Sequence, residues 1–190
     1  IERLLPKGES GLKVAFLYGK TPQTSRWTYG HELGRLHLQQ AFGDQLSTTA
    51  YDGLTADTAE AAIEQAIGDG HRMIFTTAAD FIEPSLMAAI RHPSVKILNC
   101  SLNCSHRYIR TYYGRMYEAK FVTGALAASF ASNHRIGYQA NIPMFGSVAE
   151  INAFAIGAAL VDPKAKVRLV WSTRGGDSLY HRMADEGVTV

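Results

Sequence analysis

Short apolar runs without helical period alternate along this chain with segments whose apolar residues recur every three or four positions. Residues 13–18, 46–51, 72–77, 95–99 and 108–113 read as strands. Between them, 28–42, 57–67 and 83–91 read as helices. Ala59, Ala62, Ile63, Ala66 and Ile67 trace one helical face, which Gly68-Asp69-Gly70 then stops. In 28–42, Tyr29, Leu33 and Leu36 fall on one helical face. A longer helix over 115–131 sets Ala119, Val122, Leu126 and Phe130 in a stripe, while Gly124, Ala125, Ala127 and Ala128 would let it approach a sheet closely. The unit then repeats: strand 135–139, helix 147–160 with Val148, Ile151, Ala155 and Ala158 in register, strand 166–172, helix 178–186, and the start of a strand at 188–190. Strands apolar on both faces and separated by helices predict α/β architecture, with parallel sheets covered by helices.

Residues 1–11, with Pro6, Gly8, Ser10 and Gly11 among charges, read as a linker. A first lobe is expected over 12–132 and a second over 133–190, divided near Ser132-Asn133-His134. The chain is 46% hydrophobic, which excludes a disordered class, and its 2 cysteines exclude a disulfide-stapled miniprotein. The apolar segments 122–131 and 151–160 are far shorter than the roughly 20 residues of a spanning helix. No basic-then-apolar leader opens these residues, so a targeting segment is expected outside them or not at all. A net charge of +2 argues against nucleic acid held by bulk electrostatics, and no nucleic-acid partner is expected.

Open parallel sheets bind ligands beyond the carboxyl ends of their strands. That rule selects residues 19–29, 78–81, 100–105, 140–145 and 173–177. They hold Trp27, Tyr29, Asp80, Phe81, Asn103, Asn141, Met144 and Phe145, with Asn99 just before. Rings offer faces for stacking, and Asn and Asp offer edge-directed hydrogen bonds, a combination suited to a heterocycle. Trp27 and Phe81 could equally serve as caps on the ends of a sheet.

Other motifs carry little. Gly19-Lys20-Thr21 resembles the end of a phosphate loop, but Val14 stands where that motif needs glycine and Pro22 removes a donor. Cys100, Cys104 and His106 do not have the spacing of a zinc or redox pair. Glu32, Asp80 and Glu118 have no spacing that demands a shared site. No metal, no cofactor and no catalytic group is expected.

Trp27-Thr28-Tyr29-Gly30-His31-Glu32-Leu33-Gly34-Arg35 resembles the basic membrane protein family, the purine-nucleoside-receptor-like substrate-binding proteins of ABC transporters. The likeness continues through 72–77, Arg115-Met116-Tyr117-Glu118, Arg135-Ile136-Gly137-Tyr138, 151–158 and Val161-Asp162-Pro163-Lys164-Ala165. It implies a type I periplasmic-binding-protein fold. Two Rossmann-like lobes close on a purine base or nucleoside without chemistry, and the second lobe is incomplete within these residues. The family's ligand positions map onto Trp27, Tyr29, Asp80, Phe81, Asn103, Tyr112, Arg115 and Asn152. Trp27 or Phe81 would stack the base, and Asn103 and Asn152 would read its edges. The resemblance implies a small-molecule ligand, a transporter permease as protein partner and an extracytoplasmic, lipid-anchored location. Residues 20–27 and 97–113 are also similar to a branch in which the module follows an amino-terminal domain and senses a ligand in the cytoplasm, with purine binding altered or lost.

Overall fold

A computed structural model describes residues 11–101, 106–140, 145–172 and 178–190. The chain divides into two compact units, residues 1–113 and 114–190. The expected linker falls on residues outside the described ones, apart from Gly11.

The first unit runs β1 (Leu12–Leu17), α1 (Arg26–Phe42), β2 (Leu46–Tyr51), α2 (Ala56–Gly68), β3 (Met73–Thr76), α3 (Ile82–Arg91), β4 (Lys96–Cys100) and β5 (Ile109–Tyr112). Its strands form a parallel sheet in the order β2-β1-β3-β4-β5. On one face, Ala15, Leu17, Ile74, Ile97 and Ile109 pack with Ala62, Ile63 and Ala66 of α2 and Ala88 and Ala89 of α3. The spacing of the alanines explains why α2 and α3 lie close: short side chains bring the helix backbones down onto branched strand residues. On the other face, Leu12, Val14, Phe16, Tyr18 and Leu46 form a second cluster, joined by Leu38 of α1.

The second unit contains α4 (Met116–Phe130), β6 (Arg135–Ala140), α5 (Phe145–Val161), β7 (Lys166–Trp171) and α6 (Ser178–Asp185). β6 and β7 pair in parallel. The expected strand at 188–190 runs beside β6: the Gly137 amide donates to the Val190 carbonyl at 2.7 Å, and the Thr189 amide to the Arg135 carbonyl at 3.3 Å. Alternate backbone groups of β6 serve β7, since the Lys166 amide donates to the His134 carbonyl, so the tail lies on the side away from β7. Ala128, Ile136, Tyr138, Phe154 and Ala158 build the core.

Two expectations change. The division falls between Tyr113 and Gly114 rather than near residue 132, because α4 packs on α5. Gly124 meets the Phe154 backbone and Gly157 meets that of Phe121, so the small residues of α4 seat a helix rather than only a sheet. Val122, Leu126 and Phe130, grouped in one stripe by their spacing, are exposed, as are Tyr29, Leu33 and Leu36 on one face of α1.

Candidate functional site

The strand order reverses between β1 and β3, where the connections leave in opposite directions and open a crevice above the carboxyl ends. The residues there are tied together. Thr77, following β3, donates its amide to the Leu17 carbonyl at 3.1 Å and its hydroxyl to the same oxygen at 3.0 Å. The carbonyl of Thr77 in turn accepts from the Trp27 indole N–H at 2.7 Å.

Trp27 occupies the first turn of α1. Ser25 caps that helix: its hydroxyl oxygen accepts from the Thr28 amide at 3.2 Å, satisfying an otherwise orphaned donor. One edge of the indole is therefore fixed to the sheet, while the ring remains 41% exposed. His31, one turn on, lies with its ring centroid 4.9 Å from the indole, and Tyr113 lies at 6.0 Å. Tyr112 meets His31 at 6.2 Å and Phe75 at 5.8 Å, both edge-on. A row of rings thus lines the rim from α1 to the end of β5.

Beneath the rim the groups are polar and buried. Asn99 donates its amide to the Thr76 hydroxyl at 2.9 Å and to the Ala78 carbonyl at 3.0 Å, and Thr76 shares a 2.8 Å bond with Ser85. These bonds lock the start of the turn that carries Asp80. Burial pushes the Cys100 thiol up to about 11, with the bond to Tyr112 opposing. The same burial, reinforced by Cys100, raises the Tyr112 hydroxyl far above the usual phenol range. Tyr112 is thus protonated at neutral pH, bonded to Cys100 through its hydroxyl, with its ring against His31 and Phe75. Cys100 is protonated at neutral pH, which suits a packing role rather than a nucleophilic one.

The other expected residues are distributed as follows. Tyr29 is 45% exposed and lies two residues beyond Trp27, on a different face of α1. Asp80 is exposed on the turn Ala79–Phe81. Phe81 is 0% exposed, with its ring tip near Gly19, so it has no free face to stack a ligand. The turn that brings Asp80 outward drives its neighbour Phe81 into the core. Phe81→Ala is expected to destabilise the protein by about 3–5 kcal/mol, read by denaturant unfolding. Unchanged stability would return Phe81 to the ligand list. Arg115 and Asn152 belong to the second unit and are exposed; Arg115 pairs with Glu118 at 3.1 Å. Asn103, Cys104, Asn141 and Met144 lie outside the described residues.

Sequence reasoning gave no site role to His31 or to the backbone of Thr77. The four-residue step from Trp27 to His31 was a legible signal. The Thr77 carbonyl has no side-chain signature at all.

A parallel sheet with this order, aromatic groups at its switch point and a second α/β unit are features of type I periplasmic binding proteins, and this is that fold. An ABC transporter solute-binding protein from Aeropyrum pernix K1 matches with a TM-score of 0.74 at 17% identity, over 93% of this chain and 53% of that structure. The family model described as ABC transporter substrate-binding protein PnrA-like matches residues 12–190, and the chain belongs to that family. A purine-binding protein of Brucella abortus strain 2308 is 32% identical over 86% of this chain and 47% of its own length. A protein of Haloferax volcanii whose name assigns it provisionally to glucose binding by an ABC transporter is 26% identical, over 87% of this chain and 42% of its own. The chain spans less than half the length of these two relatives.

Proposed function

We propose that the protein binds a purine base or nucleoside, without chemistry, as the substrate-binding component of an ABC transporter. The observation that carries this reading is the indole of Trp27, held by the Thr77 carbonyl at the switch point with its ring open to solvent. A flat exposed ring with a fixed edge is a platform for another flat ring. The purine-binding name of the Brucella relative supports that ligand class over a sugar alone. Asp80, Tyr112, Arg115, Asn152 and Asn103 keep, on this reading, the ligand-contacting roles that the family resemblance implies. A permease is the protein partner, and the working location is extracytoplasmic.

Ligand that binds only the native state stabilises it by mass action, by about 2.7 kcal/mol at one hundred times Kd. Adenine, adenosine and guanosine, each titrated against the full-length protein, are expected to raise its melting temperature, with glucose as the comparison. A flat response to every purine overturns the reading and favours a regulatory domain that has lost purine binding.

A further inference from the structure

Helix α1 is unusual for its position. A helix resting on a sheet ordinarily turns an apolar stripe inward. Here Tyr29, Leu33 and Leu36 are exposed, while Thr28 is buried and Glu32 and Arg35 retain only 18% and 14% side-chain exposure. The spacing Thr28, Glu32, Arg35, Gln39 is itself a helical stripe, and it is polar.

That stripe is fully engaged. The Arg35 guanidinium donates to both Glu32 carboxylate oxygens, at 2.6 and 2.8 Å. Tyr18, at the end of β1 and completely buried, donates its hydroxyl to Glu32 at 3.0 Å. Arg35 also donates to the Thr48 hydroxyl of β2 at 2.6 Å, and Thr48 donates to Gln39 at 2.6 Å. The guanidinium holds the Glu32 carboxyl below the usual carboxylate range, and burial followed by the bond to Glu32 raises the Tyr18 phenol. The pair is thus ionised and Tyr18 is a donor at neutral pH. Apolar anchoring of α1 is confined to Leu38, near its far end.

We propose that the Tyr18–Glu32–Arg35 hook sets the position of Trp27, so that Glu32 and Arg35 are positioning residues for ligand binding at the rim. The inference rests on the reading of Trp27 as the ligand platform. The hook lies five residues beyond Trp27 in the same helix and grips β1 and β2, whereas the indole grips the end of β3. Together these ties fix α1 across the switch point. Without the hook, α1 can roll on Leu38 and carry the indole with it, and a platform ordered only on binding costs affinity. A bidentate ion pair is well suited to this task because it specifies one orientation, while breaking one partner leaves the other buried charge uncompensated.

The test uses the full-length protein in which every tryptophan other than Trp27, Trp171 among them, is replaced by phenylalanine. Acrylamide quenching of Trp27 is measured without ligand, and Kd is measured for adenosine and guanosine. Glu32→Gln and Arg35→Lys are each expected to increase quenching and to weaken binding about tenfold, mainly through a faster koff. Tyr18→Phe with Glu32→Gln is expected to cost less than the sum of the single changes, because the groups act as one unit. Unchanged quenching and unchanged Kd in folded variants overturn the proposal, as does a lowered melting temperature with both of those intact. If no purine binds the parent protein, the purine reading fails separately. Ligand-free quenching then decides: an increase supports the positioning role, and no change overturns it. If Glu32→Gln does not fold, Tyr18→Phe, which removes a single oxygen, carries the same measurements.

Discussion

Trp27→Ala is expected to reduce sharply the purine-dependent rise in melting temperature. The substitution removes the only exposed indole at the switch point, among the described residues, and the donor that occupies the Thr77 carbonyl. Stacking of one base on one aromatic ring is worth about 1–3 kcal/mol, a loss of roughly five- to 150-fold in Kd. The Thr77 carbonyl also loses its donor, and the tie that orients this end of α1 goes with it. Trp27→Phe separates the two effects, because a phenyl ring keeps a face and loses the N–H. It is expected to bind with intermediate affinity. Calorimetric titration with adenosine measures both variants, and parental affinity in Trp27→Ala would remove the indole from the site. Ligand-free stability should fall by about 1 kcal/mol for the lost indole hydrogen bond, so affinities are compared among folded proteins.

A second large effect is expected from one methyl group on Gly157. A Cβ there would lie far inside van der Waals contact of the Phe121 carbonyl oxygen, 2.8 Å from its carbon and 3.2 Å from the Ala125 nitrogen. Gly124 stands in the reciprocal position, where a Cβ would overlap the Phe154 carbonyl and sit 3.0 Å from its Cα. Every one of these neighbours is backbone, which cannot rotate away as a side-chain tip can. Helices α4 and α5 would have to separate, losing contact along their length. Overpacking costs about 1–3 kcal/mol and occasionally more, and this crossing belongs at the upper end. Chemical denaturation followed by circular dichroism should show Gly157→Ala and Gly124→Ala each destabilising the second unit. Gly30→Ala and Gly34→Ala provide the contrast. Nothing lies within 4 Å of a Cβ at either, so helix propensity alone predicts a gain of about 0.5–1 kcal/mol. Parental stability in Gly157→Ala would mean that the crossing is looser than described.

Burial decided where sequence reasoning succeeded and where it failed. The helix over Ala56–Gly68 was legible because its apolar residues recur at the helical period, and β2 because a threonine-rich run ends at the turn pair Asp52-Gly53. The same logic does not decide which face of α1 docks. Tyr29, Leu33 and Leu36 have the right spacing to face inward, but Glu32 and Arg35 satisfy each other and reach Tyr18 and Thr48, so the polar stripe is the one that docks. Periodicity counts apolar residues and is blind to a carboxylate that finds its guanidinium. In α4 the small residues were legible as the side of close approach, but not that a helix, α5, is what Gly124 approaches. Phe81 was singled out as a platform by its place after a strand, a position that does not tell whether a ring faces up or down.

The alternation of apolar runs and helical periods by itself determined an α/β chain with parallel strands, and the segments 27–35, 72–77, 115–118, 135–138, 151–158 and 161–165, taken together, pointed to the family. Neither required long-range contacts, because hydrophobic period and local motif are properties of neighbours in the chain. Which side of α1 meets the sheet, which aromatic ring stays in water and where the two units divide were decided only by tertiary structure. Each depends on a partner distant in sequence: Thr77 for Trp27, Tyr18 and Thr48 for the ion pair, Phe154 for Gly124. The energy of such a contact exists only once the chain has closed the loop between them.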